Sequence, residues 1–177
     1  TLFLHDLFRF DANGKPTTIG ALNLIAGAND INYADLKATP TSSVATNGQV
    51  AIDISLLGGM YAQQIALIST NKGAGVNSSG TIYSAKDLTI AADGNVSLAG
   101  TTNTGGDVNV KGYANAGADN INTNKGKLIA GGKINLNTSG ALTNAQGVIQ
   151  SQSGTTLTAN TVDNTAGSIQ TVGTGNL

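Results

Sequence analysis

Short stretches of alternating polar and apolar residues recur along most of the chain. Four of them, at residues 87–90, 95–98, 107–110 and 133–136, follow the period-two pattern of a strand with one buried face. Glycine-rich pairs such as Gly105-Gly106 lie between them, and glycine supplies the backbone conformations that tight turns need. The pattern predicts many short β-strands joined by turns.

The last third of the chain repeats itself. Residues 142–150 return 20 positions later as residues 162–170, with Asn144 and Ile149 matched by Asn164 and Ile169. One repeat earlier the matching aliphatic residues precede by 21 positions. The repeat predicts a set of inward-facing core residues: Leu128, Leu136, Ile149, Leu157, Ile169 and Leu177.

A unit of this length is too short to bury its own apolar face, so it needs neighbours on both sides. The fold predicted is therefore a solenoid. Leucine-rich repeats have a similar period, but their consensus needs several leucines and a helical return, and neither is present. Because the apolar periodicity is that of strands, the prediction is an all-β parallel β-helix.

Composition agrees with a stacked β fold. The chain has no Cys, Trp or Glu, and 11% of its residues are charged, well below the roughly 25% of an average domain. A net charge of −1 gives no basic surface for nucleic acid. No apolar run is long enough to span a membrane, and the first residues do not resemble a signal peptide. If the protein is exported, the signal is expected upstream of residue 1.

The lack of cysteine has two interpretations. It is compatible with a reducing cytoplasm, where disulfides do not persist. It also suits an exported chain that crosses a pore unfolded, since a disulfide formed early would block passage.

Residues 1 to about 45 depart from the repeat. All three phenylalanines lie between Phe3 and Phe10, and a turn signal follows at Asn13-Gly14. Residues 2–10 and 17–24 on either side of this turn are predicted to form a hairpin outside the helix. Such a hairpin would cover the open end or the side of the solenoid, where strand edges are exposed. The alternative is an ordinary strand pair within the wall of the helix.

Candidate catalytic and metal-binding residues are few. Arg9 is the only arginine and His5 the only histidine, so neither a histidine-centred triad nor a multi-histidine metal site can be built. Asp87 and Asp107 lie 20 positions apart, and we expect them at strand edges rather than in a catalytic pair. The calcium-binding nonapeptide pattern is absent. We therefore predict no enzyme activity, no metal and no cofactor.

Asn144 and Asn164 occupy equivalent positions of successive repeats. Two interpretations fit them. Their side chains can stack into a hydrogen-bonded ladder along the helix axis, as amides do in cross-β assemblies. Alternatively, both simply occupy a turn that tolerates left-handed backbone.

One segment carries a family resemblance. The run Leu57, Gly58, Gly59, Met60, Tyr61 and Ala62, followed by Gly75-Val76, resembles the closing part of the secretion domain of filamentous-haemagglutinin-like two-partner-secretion exoproteins. The repeats that follow resemble the haemagglutinin repeats of that family, which includes adhesins, haemolysins and contact-dependent growth inhibition proteins. The resemblance implies a right-handed parallel β-helix, and it assigns residues 1–80 to the secretion domain and residues 81–177 to the repeats.

The resemblance also implies partners and a location. The protein would be exported through an outer-membrane β-barrel transporter with periplasmic domains and would act as a virulence-associated stalk, secreted or at the bacterial cell surface. It would bind host or neighbouring-cell receptors through regions outside this chain. The Asn-Pro-Asn motifs of the family are missing, since the two prolines are Pro16 and Pro40, so most of the transporter-contacting part is expected to precede this chain. The main alternative function is a carbohydrate-binding or polysaccharide-cleaving β-helix.

Overall fold

The computed structural model describes residues 2–7, 9–10, 12–13, 16–17, 19–32, 37–41, 48–113 and 117–173, and these residues form strands and turns without a helix. The strands in chain order are β1 Leu2–Leu7, β2 Arg9–Phe10, β3 Pro16–Thr17, β4 Ile19–Ala26, β5 Asn29–Ile31, β6 Ala38–Pro40, β7 Val50–Ser69, β8 Gly75–Ser78, β9 Thr81–Ser84, β10 Leu88–Ala92, β11 Val96–Leu98, β12 Thr101–Thr104, β13 Val108–Lys111, β14 Ile121–Asn122, β15 Lys127–Ala130, β16 Ile134–Asn137, β17 Ala141–Thr143, β18 Val148–Ser151, β19 Thr155–Thr158, β20 Thr161–Asp163 and β21 Ser168–Thr171.

Seventeen of these strands form one continuous parallel sheet that winds into a β-solenoid. We number its coils from the N-terminus: coil 1 holds β1 and β4, coil 2 is β7 alone, and coils 3 to 6 each hold three consecutive strands, from β8–β10 to β17–β19. Among the described residues, coil 7 holds β20 and β21. Each strand pairs with the corresponding strand of the next coil, so the predicted parallel β-helix is confirmed.

The solenoid has three faces. Strands β8, β11, β14, β17 and β20 stack on the first face, β9, β12, β15, β18 and β21 on the second, and β10, β13, β16 and β19 on the third. Strand β7 is long enough to contribute to all three faces, since its successive parts pair with β8, β9 and β10. One strand of 20 residues thus makes a complete coil.

Aliphatic rows fill the interior between the faces. The residue alternation of each strand sends every second side chain inward, and parallel pairing then places like residues above one another, as with Ile65, Leu88, Val108 and Ile134. These four side chains are completely buried. Burial of such rows provides the main favourable free energy of the fold.

The coil is lengthened at the corner between the third face and the first, after β13. Val76 is aligned with Val96, and Val96 is aligned with Ile121. More residues separate Val96 from Ile121 than separate Val76 from Val96. The additional residues lie between β13 and β14. Beyond this insertion the coils shorten again, as the alignment of Leu128, Ile149 and Ile169 shows.

The N-terminal hairpin is shorter than predicted from the sequence. Within the described part of residues 2–24, β2 and β3 form the antiparallel pair, while β1 and β4 pair in parallel with β7 and belong to the wall. The register explains this outcome, because Leu2 and Leu4 are aligned with Ile52 and Ile54, so that aliphatic positions of β1 match aliphatic positions of β7. A second two-stranded hairpin, β5 with β6, also lies outside the solenoid sheet.

Candidate functional site

Hydrogen-bonded polar side chains hold the coils together at the corner that follows the first face. Asn144 is completely buried, and its Nδ2 donates to Asn164 Oδ1 at 2.7 Å. Its Oδ1 accepts a hydrogen bond from the Thr123 hydroxyl at 2.8 Å. A chain of side-chain hydrogen bonds therefore runs through three coils, and Thr123 is a member that the sequence did not indicate, since it is not an amide.

The left-handed residues of this corner are not the asparagines. Positive φ angles of 59°, 59° and 54° occur at Lys125, Gln146 and Ala166, which stand at equivalent positions of successive coils. Each of the three is followed by a glycine. A Cβ atom on the glycines would collide with a carbonyl oxygen of the preceding coil: that of Leu98 for Gly126, that of Thr123 for Gly147 and that of Asn144 for Gly167.

The first face ends in side chains that close this corner. Asn122 Oδ1 accepts from the backbone N–H of Asn124 at 2.8 Å, and Asp163 Oδ1 accepts from that of Thr165 at 2.9 Å. Hydrogen bonds from the hydroxyl and the N–H of Thr165 lower the pKa of the Asp163 carboxyl below its ordinary value. These residues are Asx-type turn formers, so their polarity serves the local fold.

Asp87 and Asp107 stack on successive coils, but each carboxylate binds backbone. Asp87 Oδ1 accepts from the N–H of Asp107 at 2.8 Å, and Asp107 Oδ1 accepts from the N–H of Lys133 at 2.7 Å. The carboxylates are seated against Gly106 and Gly132, where a Cβ would collide with them. The glycines Gly106 and Gly132, which precede Asp107 and Lys133, are a sequence signal that could have indicated this arrangement. Each aspartate links one coil to the next.

Five of the six repeat core residues predicted from the sequence lie in the described part of the chain, and all five contact one interior. Leu128, Leu136 and Ile149 are at most 1% exposed. Leu157 and Ile169 are partly buried and pack against the same core. Leu177 lies outside the described residues. Burial thus decreases toward coil 7, where the sheet edge has no further described strand above it.

The segment that carried the family resemblance lies in β7, at the corner between the first and second faces. Leu57 is 86% exposed, whereas Met60 and Ala62 are completely buried. Gly58 and Gly59 are both buried, and a Cβ on Gly59 would collide with the ring of Tyr61. That ring stacks on Tyr83 of coil 3, with 6.3 Å between centroids. The segment turns the chain between faces and presents Leu57 outward.

A groove of about 440 Å³ lies on the outer side of the first face. Its polar lining is made of amides and hydroxyls, and its residues are Asn95, Val96, Ser97, Asn120, Ile121, Asn122, Ala141 and Thr143. None of these residues is charged or aromatic. The lining supplies hydrogen bonds but no group that acts as a general acid or base at neutral pH.

The described residues contain no group of three His, Cys, Asp or Glu side chains arranged to hold a metal ion. Within the same residues there is also no helix with the length and apolarity of a membrane span.

Two protein-family models match the chain, and their matches together span residues 10–177. The model of the TPS secretion domain matches residues 10–98. The model of the haemagglutinin repeat matches twice, at residues 99–146 and 142–177. No solved structure matches the chain significantly.

Relatives with curated descriptions are much larger proteins. The chain is 45% identical over 83 residues to the tRNA nuclease CdiA-2 of Burkholderia pseudomallei, which covers 46% of this chain and 3% of the relative. It is 32% identical over 122 residues to the filamentous hemagglutinin of Bordetella pertussis, covering 67% of this chain and 3% of the relative. It is 32% identical over 162 residues to a toxin CdiA of Escherichia coli, and this match covers 84% of this chain and 5% of the relative.

The chain spans only 3 to 5% of the length of these relatives. The nuclease and toxin activities in their names describe those whole proteins. The secretion-domain model, in contrast, matches half of this chain. The chain therefore belongs to the family of two-partner-secretion exoproteins, and it joins a TPS secretion domain to haemagglutinin repeats.

Proposed function

We propose that this chain is a structural stalk segment of a secreted or cell-surface exoprotein, an adhesin, haemagglutinin or contact-dependent inhibition filament, exported by two-partner secretion. The observation that carries the proposal is the unbroken parallel pairing of each coil with the next, from β1 to β21. With neighbouring strands about 4.8 Å apart, every coil lengthens the molecule by that distance. The segment contributes length and rigidity to a filament.

The polar side chains support a structural role. Asn144, Asp87 and Asp107 direct their hydrogen bonds to neighbouring coils. Groups engaged in this way are not poised for turnover, so we propose that the segment itself has no enzyme activity. The activities named for the relatives would reside in other parts of those chains.

In this proposal, export and the stalk function are assigned to different parts of the chain. Residues 1–80 form the closing part of the secretion domain, whose partner is an outer-membrane β-barrel transporter with periplasmic domains. Residues 81–177 form the repeat stalk. Receptors on host or neighbouring cells are bound by regions outside this chain, which the stalk holds away from the cell surface.

The stalk function is tested by removing one whole coil from the full-length exoprotein. Deletion of residues 142–161 joins Ala141 to Val162, which is aligned with Leu142 in the next coil. We expect secretion near the unmodified level when the partner transporter is co-expressed, because the register is preserved. The matched control, deletion of residues 142–151, places the following strand on the wrong face and is expected to reduce the yield of folded secreted protein severely.

Equal loss of folded, secreted protein in both deletions would contradict the stalk proposal, since it would give coil 6 a role beyond length. Binding or cleavage of a polysaccharide by the purified chain, lost on Ser97→Ala in the groove, would favour the carbohydrate-directed alternative instead.

A further inference from the structure

The β5–β6 hairpin is attached to the solenoid at a point far along the chain. It leaves coil 1 after β4, yet the hydroxyl of Tyr113 in the corner insertion donates a hydrogen bond of 2.8 Å to the carbonyl oxygen of Ala38 in β6. The two residues are 75 positions apart. The contact therefore joins the hairpin of coil 1 to the corner that follows coil 4.

Burial within the hairpin agrees with this attachment. Ala38 is 8% exposed, while Lys37, Thr39 and Pro40 on either side of it are exposed. The base of the hairpin is fixed separately at coil 2, where the Thr70 hydroxyl and N–H both donate to the carbonyl oxygen of Ala26. The hairpin is thus held at its base by coil 2 and along β6 by Tyr113.

The position of Tyr113 depends on coils 3 and 4. Its backbone N–H donates to Asp93 Oδ1 at 2.7 Å, and Asp93 lies in the turn between those coils. Tyr113 also follows closely on β13 and stands at the corner where the coil is lengthened. A corner of ordinary length, as between coils 3 and 4, has fewer residues with which to reach the hairpin.

We infer that the β5–β6 hairpin is a strap that Tyr113 closes over the corner of the solenoid, and that the strap closes only after coil 4 has folded. Forming a contact between residues so far apart in the chain has an entropic cost of loop closure. This cost is lowest once the intervening coils have folded. The strap joins the region matched by the secretion-domain model to the first haemagglutinin repeat.

Hydrogen exchange of the whole chain tests the attachment. In Tyr113→Phe the amides of residues 29–32, 37–39 and 41 are expected to exchange about fivefold faster, the effect of losing one ordinary hydrogen bond. Tyr113→Ala is expected to accelerate them on the order of tenfold or more, while coils 5 and 6 keep their protection. Tyr83→Phe, on an exposed face, is the matched control and is expected to change these amides less than about twofold.

Unchanged exchange of the hairpin in both Tyr113 variants would overturn the inference, because the hairpin would then be held by its own contacts. Equal acceleration in every coil would also overturn it, since Tyr113 would then act on the solenoid as a whole. Pulse labelling during refolding tests the order of events. Hairpin protection is expected together with or after that of β13, and protection before β13 would refute late closure.

Discussion

Coil 2 and coil 6 have the same three-faced path but are stabilised by different chemistry. In coil 2 the inward residues of a single strand are almost all aliphatic, and Ile52, Ile54, Met60, Ile65 and Leu67 are completely buried. Coil 6 consists of three short strands, of which β17 contributes Leu142 and β18 contributes Ile149, and the buried set also includes Asn144 and Ser151. The repeats replace part of an aliphatic interior with hydrogen-bonded corners.

One column of side chains shows where this replacement occurs. Ile54, Ser78 and Leu98 are aligned on the first face of coils 2 to 4. In coils 5 and 6 this column continues with Thr123 and Asn144. Each of them is the residue directly after the last paired residue of β14 or β17, and the two side chains are hydrogen-bonded to each other. Because amides need a partner in the next coil while aliphatics only need burial, the polar column specifies register more strictly.

The largest expected effect is on what the two regions share, the aliphatic rows. Ile149 is completely buried between Leu128 and Ile169. Ile149→Asp would bury an unpaired charge, and we expect a loss of roughly 4 kcal/mol or more in the free energy of unfolding, measured by urea denaturation. Ile65→Asp in coil 2 is expected to be equally damaging.

The matched control for this change is the next residue. Gln150 points outward and its Oε1 accepts a hydrogen bond from Gln170 Nε2 at 2.9 Å on the surface. Gln150→Asp is expected to cost less than about 1 kcal/mol. Equal destabilisation by the two variants would contradict the assignment of Ile149 to the inward side of β18 and of Gln150 to the outward side.

A smaller effect, confined to the repeats, is expected from the amide column. Asn144→Ala leaves the Thr123 hydroxyl and the carbonyl oxygens of Gly147 and Ser168 without this partner. We expect a loss of about 2 kcal/mol in the free energy of unfolding, measured by the same urea titration, since unsatisfied buried groups carry a cost of this order.

Asn164 is the control for this column because it is exposed at the end of the ladder. Asn164→Ala is expected to cost about 0.5 kcal/mol, and a double-mutant cycle measures the coupling of the two amides. An Asn144→Ala variant as stable as the unmodified chain would mean that burial, and not the ladder, maintains this corner.

The sequence predicts the repeats better than the first coil for a physical reason. Where similar repeats stack, residues that match in the sequence repeat, such as Ile149 and Ile169, are also the residues that pair between neighbouring strands. In coil 1 the largely apolar sequence of residues 2–7 fits an antiparallel neighbour as well as the parallel partner that it has in β7, far along the chain. The local pattern of apolar and polar residues indicates a strand, but it does not determine which strand pairs with it.

The corner chemistry was only partly visible in the sequence. Asn144 and Asn164 stood out because the same residue recurs, whereas Thr123 fills the same place with a different donor. Tyr113 had no repeat to mark it and meets Ala38 only through the fold. Contacts between unlike residues at long separation carry no sequence period, so the structure was needed to find them.

The smallest expected effect distinguishes strain from packing at the repeat corner. Ala166 has a φ of 54° and is exposed, and non-glycine residues pay roughly 1 kcal/mol for left-handed backbone. Ala166→Gly removes this cost but adds entropy to the unfolded chain, so we expect a net gain of about 0.5 kcal/mol. Ala145→Gly changes a neighbouring corner residue that is not left-handed, and it should lose about 0.5 kcal/mol in the same urea titration. If both glycine variants lost stability equally, the methyl group of Ala166 would be contributing contacts that outweigh its backbone strain, and the left-handed column would be a packing feature of the repeats.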